Sequence, residues 1–261
     1  MKITPATLRA MKQRGEKIAA LTAYDFFTAK IMDAAGIELI LVGDSLGMAV
    51  LGYETTLPVT MAEMLHHTRA VTRTQPQALV VADMPFQSYA TMELALENAG
   101  KFIAAGAEAV KLEGGIAVAE LVAILNRKIP VLGHIGLLPQ SISVNGSYRI
   151  HGRTPESAAQ LLRDAQALEQ AGAFAVVVEC TTADVAREIT NALTIPTLGI
   201  GAGNGCDGQI LVSSDMLGQF TRFTPKHVKR YANLAEEMQR AFSAYRHEVE
   251  TGEFPGPSQS F

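Results

Sequence analysis

The chain has 261 residues, 48% of them hydrophobic and 18% charged, with a formal net charge of -4. Such a composition supports one large core and excludes a disordered chain, and an acidic balance without a basic tract excludes nucleic acid as a partner. The N-terminal MKITPATLRAMKQRGEK carries no apolar secretion signal and no apolar run approaches the ~20 residues that span a bilayer, so a soluble, cytoplasmic protein is expected.

Short apolar runs alternate with longer amphipathic stretches along the whole chain. Strands are predicted at 18–24, 38–43, 78–83, 108–113, 130–134, 173–179, 196–200 and 209–212. The stretches TMAEMLHHTRAVTR, MELALENAGKFIAAG, AVAELVAILNR and PESAAQLLRDAQALEQAG between them read as helices, several ending at Gly. Near-continuous apolar strands alternating with helices indicate a parallel sheet covered on its faces. Eight such units without a linker, in a length close to the ~250 residues typical of the fold, predict a single (β/α)8 barrel over 1–261, with an irregular tail TGEFPGPSQSF. A doubly wound open sheet is the alternative, but TAYDFF rather than GxGxxG follows the first strand. The segments 45–59 and 135–154 are long for barrel loops and are expected to act as lids or substrate walls.

Polar residues close most of these runs: Tyr24-Asp25, Asp44-Ser45, Asp83, Lys111 with Glu113, His134 and Glu179. One polar residue at a strand exit is ordinary. Carboxylates at successive strand ends, with a lysine and a histidine, converge on one face of a barrel and repel unless a cation compensates them. Oxygen ligands favour Mg²⁺, which takes one or two protein carboxylates. Asp44 and Asp83 are the direct-ligand candidates, with Glu113 close by or acting through water. Zinc is disfavoured, because Cys180 and Cys206 stand apart and no HExxH occurs. Glu63 and His67, four apart on a predicted helix, read as a surface contact.

Gly43-Asp44-Ser45-Leu46-Gly47 matches GxSxG, the serine-hydrolase elbow, which requires a helix directly after the serine. The following MAVLGYETTLPVT predicts none, so Ser45 is read as a holder of a substrate carboxylate. The glycines of Gly199-Ile200-Gly201-Ala202-Gly203-Asn204 suit either an anion or a tight turn.

The stretches VGDSLGMAVLGYETTLPVTMAEM, VADMPFQSY, VKLEGG, GHIGLLPQS, VVECTTADVAREIT and GIGAGNGCDGQILV, in order from Thr22 to the FPG of the tail, closely resemble the ketopantoate hydroxymethyltransferase family. The resemblance implies a Mg²⁺-dependent barrel, assembled as a homodecamer, that moves a one-carbon unit from 5,10-methylenetetrahydrofolate to 3-methyl-2-oxobutanoate. The product would be 2-dehydropantoate, for pantothenate synthesis, formed through a Mg-stabilised enolate. It implies metal binding by Asp44 and Asp83 with Glu113 completing the site. On the substrate side it implies Asp44, Ser45, Asp83, Lys111 and His134, with Glu179 as general base and no assigned step for His134. Thr181-Thr182, Ser214 and Tyr53 depart from the family pattern. The nearest enzymatic alternative, the isocitrate lyase and phosphoenolpyruvate mutase group, lacks its KKCGH-type loop here; a 2-oxo-acid-binding or structural barrel is the non-catalytic one.

Overall fold

A computed structural model describes residues 1–141, 149–220 and 224–261. The chain divides into two compact units, Met1–Val212 and Ser213–Phe261. The first holds a closed, eight-stranded parallel barrel in sequential order. Its strands are β1 (Ile18–Thr22), β2 (Leu39–Val42), β3 (Leu79–Asp83), β4 (Ala109–Glu113), β5 (Val131–Gly136), β6 (Ala175–Glu179), β7 (Thr197–Ile200) and β8 (Gly208–Leu211), with β8 pairing back onto β1. All eight predicted strands are present, within two residues at every end.

The helices of this unit are α1 (Pro5–Arg14), α2 (Phe26–Ala34), α3 (Leu46–Ala49), α4 (Met61–Thr72), α5 (Met92–Ala104), α6 (Ala119–Leu125), α7 (Pro155–Gln170) and α8 (Ala183–Ala192). Side-chain caps start several of them. Thr60 and Glu63 form a reciprocal capping box on α4, and Thr154 followed by Pro155 opens α7.

Alternation along the strands sorts the core into two shells. Ile40, Val42, Val80, Ala82, Val110 and Leu112 pack outward with the helices. Ile18, Leu39, Leu41, Leu79, Val81, Ala109, Leu132, Ala175 and Val177 belong to a separate buried cluster, the barrel interior. Leu8 and Met11 of α1 join that inner cluster. Lys12 Nζ reaches Thr190 O at 2.8 Å and Asp207 at 2.9 Å, and Lys2 Nζ reaches Pro76 O at 2.9 Å and Ala78 O at 2.7 Å. Those partners precede β7, β8 and β3, so α1 closes the barrel at its N-terminal end.

The second unit contains α9 (Ser213–Met216) and α10 (Leu234–Thr251), the former tied to the segment before α10 by Tyr231 N–H to Met216 O at 2.8 Å. The tail is irregular apart from a 3-10 turn at Pro257–Gln259. No helix among the described residues is long and apolar enough to cross a membrane.

Candidate active site

Strand register assembles most of the charged set. Asp83 pairs with Lys111, Glu113 with His134, and Gly136 with Glu179. Laterally paired residues share a face, and residues two apart on a strand do too. Asp83, Lys111, Glu113, His134 and Glu179 therefore all continue the inward-facing columns, directly above Val81, Ala109, Leu132 and Val177. The interior is aliphatic at its base and ionic at the C-terminal end of the strands, the end at which barrel enzymes carry their chemistry.

Asp44 does not follow this parity, since Val42 pairs with Ala82 on the outward side. It reaches the site because the chain turns at Gly43, where a Cβ would lie 2.9 Å from Ser45 Oγ. The backbone N–H of Asp44 then points at Asp83 Oδ2 at 3.3 Å. Contrary to the sequence expectation, a helix does start directly after Ser45: α3 begins at Leu46. Its single turn is enforced by packing, with Leu46 fully buried and Val59 Cγ2 only 2.5 Å from where a Cβ of Gly47 would be. That contact overrides the β-branched local sequence. Ser45 Oγ lies 2.9 Å from the phenol of Tyr24, which in turn accepts from Thr22 Oγ1 at 2.8 Å. A phenol is no general base near neutral pH, so the hydroxyl is set up to bind rather than to attack.

The ionic set is largely buried, with carboxylates in excess of cations. Lys111 Nζ donates to both oxygens of Asp83 at 2.8 Å and approaches Glu113 Oε1 at 3.5 Å. Burial and then repulsion from Asp83 hold the Asp44 carboxyl well above its ordinary range, and burial also raises Asp83 despite Lys111. Burial pushes Glu113 up too, but Lys111, His134 and the Gln140 N–H keep it below the usual range. Lys111 is raised in spite of burial, by Asp83, Glu113 and Asp44. His134 lies between two carboxylates, Nε2 3.2 Å from Glu179 and Nδ1 3.5 Å from Glu113, in contacts too poorly aligned to be hydrogen bonds. Burial and Lys111 depress this imidazole, yet Glu113 and Glu179 prevail and lift it to about 9.

Two neutral residues that the charge pattern did not reveal complete the site. Gln140, just after β5, is 2% exposed. Its Nε2 donates to Asp44 Oδ2 and to Met84 O, both at 2.9 Å, and its backbone N–H donates to Glu113 Oε2 at 3.0 Å. Tyr89 donates its phenol proton to Gln140 Oε1 at 2.7 Å. Gln140 sits in GHIGLLPQS, where an uncharged residue after a proline carries little signal.

Asp25 does not join the site. It is exposed and caps α2, accepting from Thr28 N–H at 2.9 Å. Glu63 serves the cap of α4 and accepts from Tyr53 at 2.6 Å, while His67 Nδ1 meets Tyr24 O at 2.7 Å. At the glycine run, Gly203 is in the left-handed region and packs on Ala183. Thr181 pairs with His151 across a bridge, and Thr181 Oγ1 donates to Glu179 O at 3.1 Å. A cavity of about 460 Å³ lies between the end of β5 and the start of α7, lined in part by Arg149, His151, Ser157 and Leu161, and no predicted site residue lines it. Residues 142–148 of the predicted 135–154 loop lie outside those described.

Among the described residues, no three His, Cys, Asp or Glu side chains form a ready-made ion cage. Asp44, Asp83, Glu113 and Glu179 outnumber the cations Lys111 and His134, and the unrelieved repulsion falls between Asp44 and Asp83. An all-oxygen pair with that excess fits Mg²⁺, which keeps water or substrate in its remaining positions.

A family model described as ketopantoate hydroxymethyltransferase matches residues 2–257. Proteins called 3-methyl-2-oxobutanoate hydroxymethyltransferase from Syntrophus aciditrophicus and Enterococcus faecalis are 54% and 56% identical to the chain, covering 100% of it and 97% and 96% of their own lengths. Among solved structures, a 2,3-dimethylmalate lyase of the PEP mutase/isocitrate lyase superfamily aligns with a TM-score of 0.62 at 17% identity, over 99% of this chain and 93% of that one. A phosphonopyruvate hydrolase gives 0.61 at 16%, over 98% and 93%. At such identities the likeness is one of fold.

Proposed function

The chain belongs to the ketopantoate hydroxymethyltransferase family, and from that premise we propose that it transfers a hydroxymethyl unit from 5,10-methylenetetrahydrofolate to C3 of 3-methyl-2-oxobutanoate, giving 2-dehydropantoate for pantothenate synthesis. The observation that carries the mechanism is the difference among the inward carboxylates. Asp83 is held by Lys111 through both oxygens, and Asp44 and Glu113 are held by Gln140. Among the described residues the Glu179 carboxylate is paired only with the edge of His134, and its side chain is 16% exposed against 2% for Asp83 and Glu113. It is the carboxylate free to take a proton from a bound substrate.

In this reading Ser45, supported by Tyr24, binds the carboxylate of the oxo acid. Lys111 offers its ammonium to the keto oxygen as negative charge develops there. Glu179 removes the C3 proton, with His134 limiting the rotation of its carboxylate. The deprotonated carbon then bonds to the methylene as one of its two carbon–nitrogen bonds to the folate breaks, and water displaces the remaining folate nitrogen, leaving the hydroxyl on the transferred carbon and the protons on the folate nitrogens. Asp44 and Asp83, with Glu113 beside them, would hold Mg²⁺, which supplies Lewis-acid charge at the keto oxygen. Phe27 and Ile31, exposed one turn apart on α2, support assembly of several copies.

Proton NMR of 3-methyl-2-oxobutanoate in D₂O with enzyme and Mg²⁺ tests this reading. Loss of the C3 proton signal without folate, 2-dehydropantoate formation with it, and neither in Glu179→Gln are expected. Normal exchange in Glu179→Gln would remove Glu179 from the role of base, and absence of exchange and product in the wild type would refute the reaction.

A further inference from the structure

We propose that the side chain of Gln140, oriented by Tyr89, is a positioning group that presents Asp44 to the divalent cation; this rests on the metal reading above. Both partners of the Gln140 amide nitrogen, Asp44 Oδ2 and Met84 O, require a donor. The NH₂ end must therefore face them, and the amide cannot be flipped without setting oxygen against two oxygens in a buried site. The Tyr89 hydroxyl completes the arrangement from the other side, on the Oε1 that accepts at 2.7 Å.

One buried residue thus joins the exits of β2, β3 and β4 to the segment after β5. Asp44 needs such a tether because it lies beyond its strand and outside the inward parity. Gln140 occupies Oδ2, while Oδ1 accepts no hydrogen bond among the described residues. The geometry therefore points to Oδ1 as the oxygen that Asp44 offers. A packing role would need only volume, which methionine supplies; a positioning role needs the two N–H donors.

The test measures Mn²⁺ binding to the substrate-free enzyme by electron paramagnetic resonance, in wild type, Asp44→Asn, Gln140→Met and Tyr89→Phe, with melting in EDTA as the measure of fold. Gln140→Met is expected to weaken Mn²⁺ by about ten- to a hundred-fold, as for other residues that orient metal ligands. Tyr89→Phe, losing one neutral hydrogen bond, is expected to weaken it by about two- to ten-fold. Melting temperatures in EDTA should stay near wild type. Wild-type affinity in both folded variants would overturn the proposal, and if Gln140→Met does not fold, Tyr89→Phe decides alone. Wild type binding no more Mn²⁺ than Asp44→Asn would instead refute the metal reading itself, and this inference with it.

Discussion

Lys111→Met removes the ammonium that faces Asp83 and Glu113 and keeps the side-chain volume. Its Nζ meets both oxygens of Asp83 at 2.8 Å, with side-chain exposures of 5% and 2%, so solvent cannot substitute for it. Breaking a buried pair by deleting one partner costs about 3–5 kcal/mol. At roughly 2–4 °C per kcal/mol for a protein of this size, the melting temperature should fall by about 6–20 °C at neutral pH. The deficit should itself depend on pH. Asp44 and Asp83 already sit above their ordinary 3.8 in the folded state, and losing Lys111 raises them further. Between that ordinary value and the raised ones the folded state binds more protons than the unfolded, so stability falls as pH rises. The difference from wild type should therefore shrink as pH is lowered from 8 towards 5, where protonation relieves the repulsion. Differential scanning calorimetry of both proteins across that range measures it. A deficit that is constant, or that grows on acidification, would refute the claim that Lys111 compensates buried carboxylates.

Burial and the neighbouring Glu179 push the Cys180 thiol up to about 11, so iodoacetamide should modify it slowly at neutral pH and faster by roughly ten-fold per pH unit; rapid labelling at pH 7.5 would contradict this. Gly136→Ala should destabilise by more than about 1 kcal/mol and impair C3-proton exchange, because φ is +91° and the new Cβ would fall 2.1 Å from Glu179 O. A variant with normal melting and exchange would show that Gly136 is not needed there. Asp25→Ala should cost about 0.5–2 kcal/mol through loss of the α2 cap and leave kcat unchanged. A large fall in kcat would return Asp25 to the site.

What could be read from the sequence follows the period of the structure. Asp83, Lys111, Glu113, His134 and Glu179 lie at the ends of near-continuous apolar runs, which places them at one mouth of a barrel, and register then joins them. Asp44 was legible only as a charge at a strand end, because its direction comes from the turn after Gly43. The turn of α3 was not legible, since its cause is Val59 packing against Gly47 from twelve residues away. Gln140 and Tyr89 were missed for a related reason. They are neutral, and their bonds span separations of 96 residues to Asp44 and 51 to each other. Asp25 shows the opposite error: a carboxylate at a strand exit looks the same in sequence whether it faces the barrel mouth or caps the next helix.

The seating of α1 on the inner cluster bears on kinetics. Leu8 and Met11 fill the far end of the interior among the described residues, so a molecule that reaches Lys111 enters from the strand C-terminal end, past Glu179. Whatever lies deepest must come in first and go out last. In the proposed reaction, an oxo acid bound at Lys111 should enter before the bulkier folate, and the product derived from it should leave last. Product-inhibition patterns of a compulsory-order mechanism would express this, and random-order patterns would mean that a second route into the column exists.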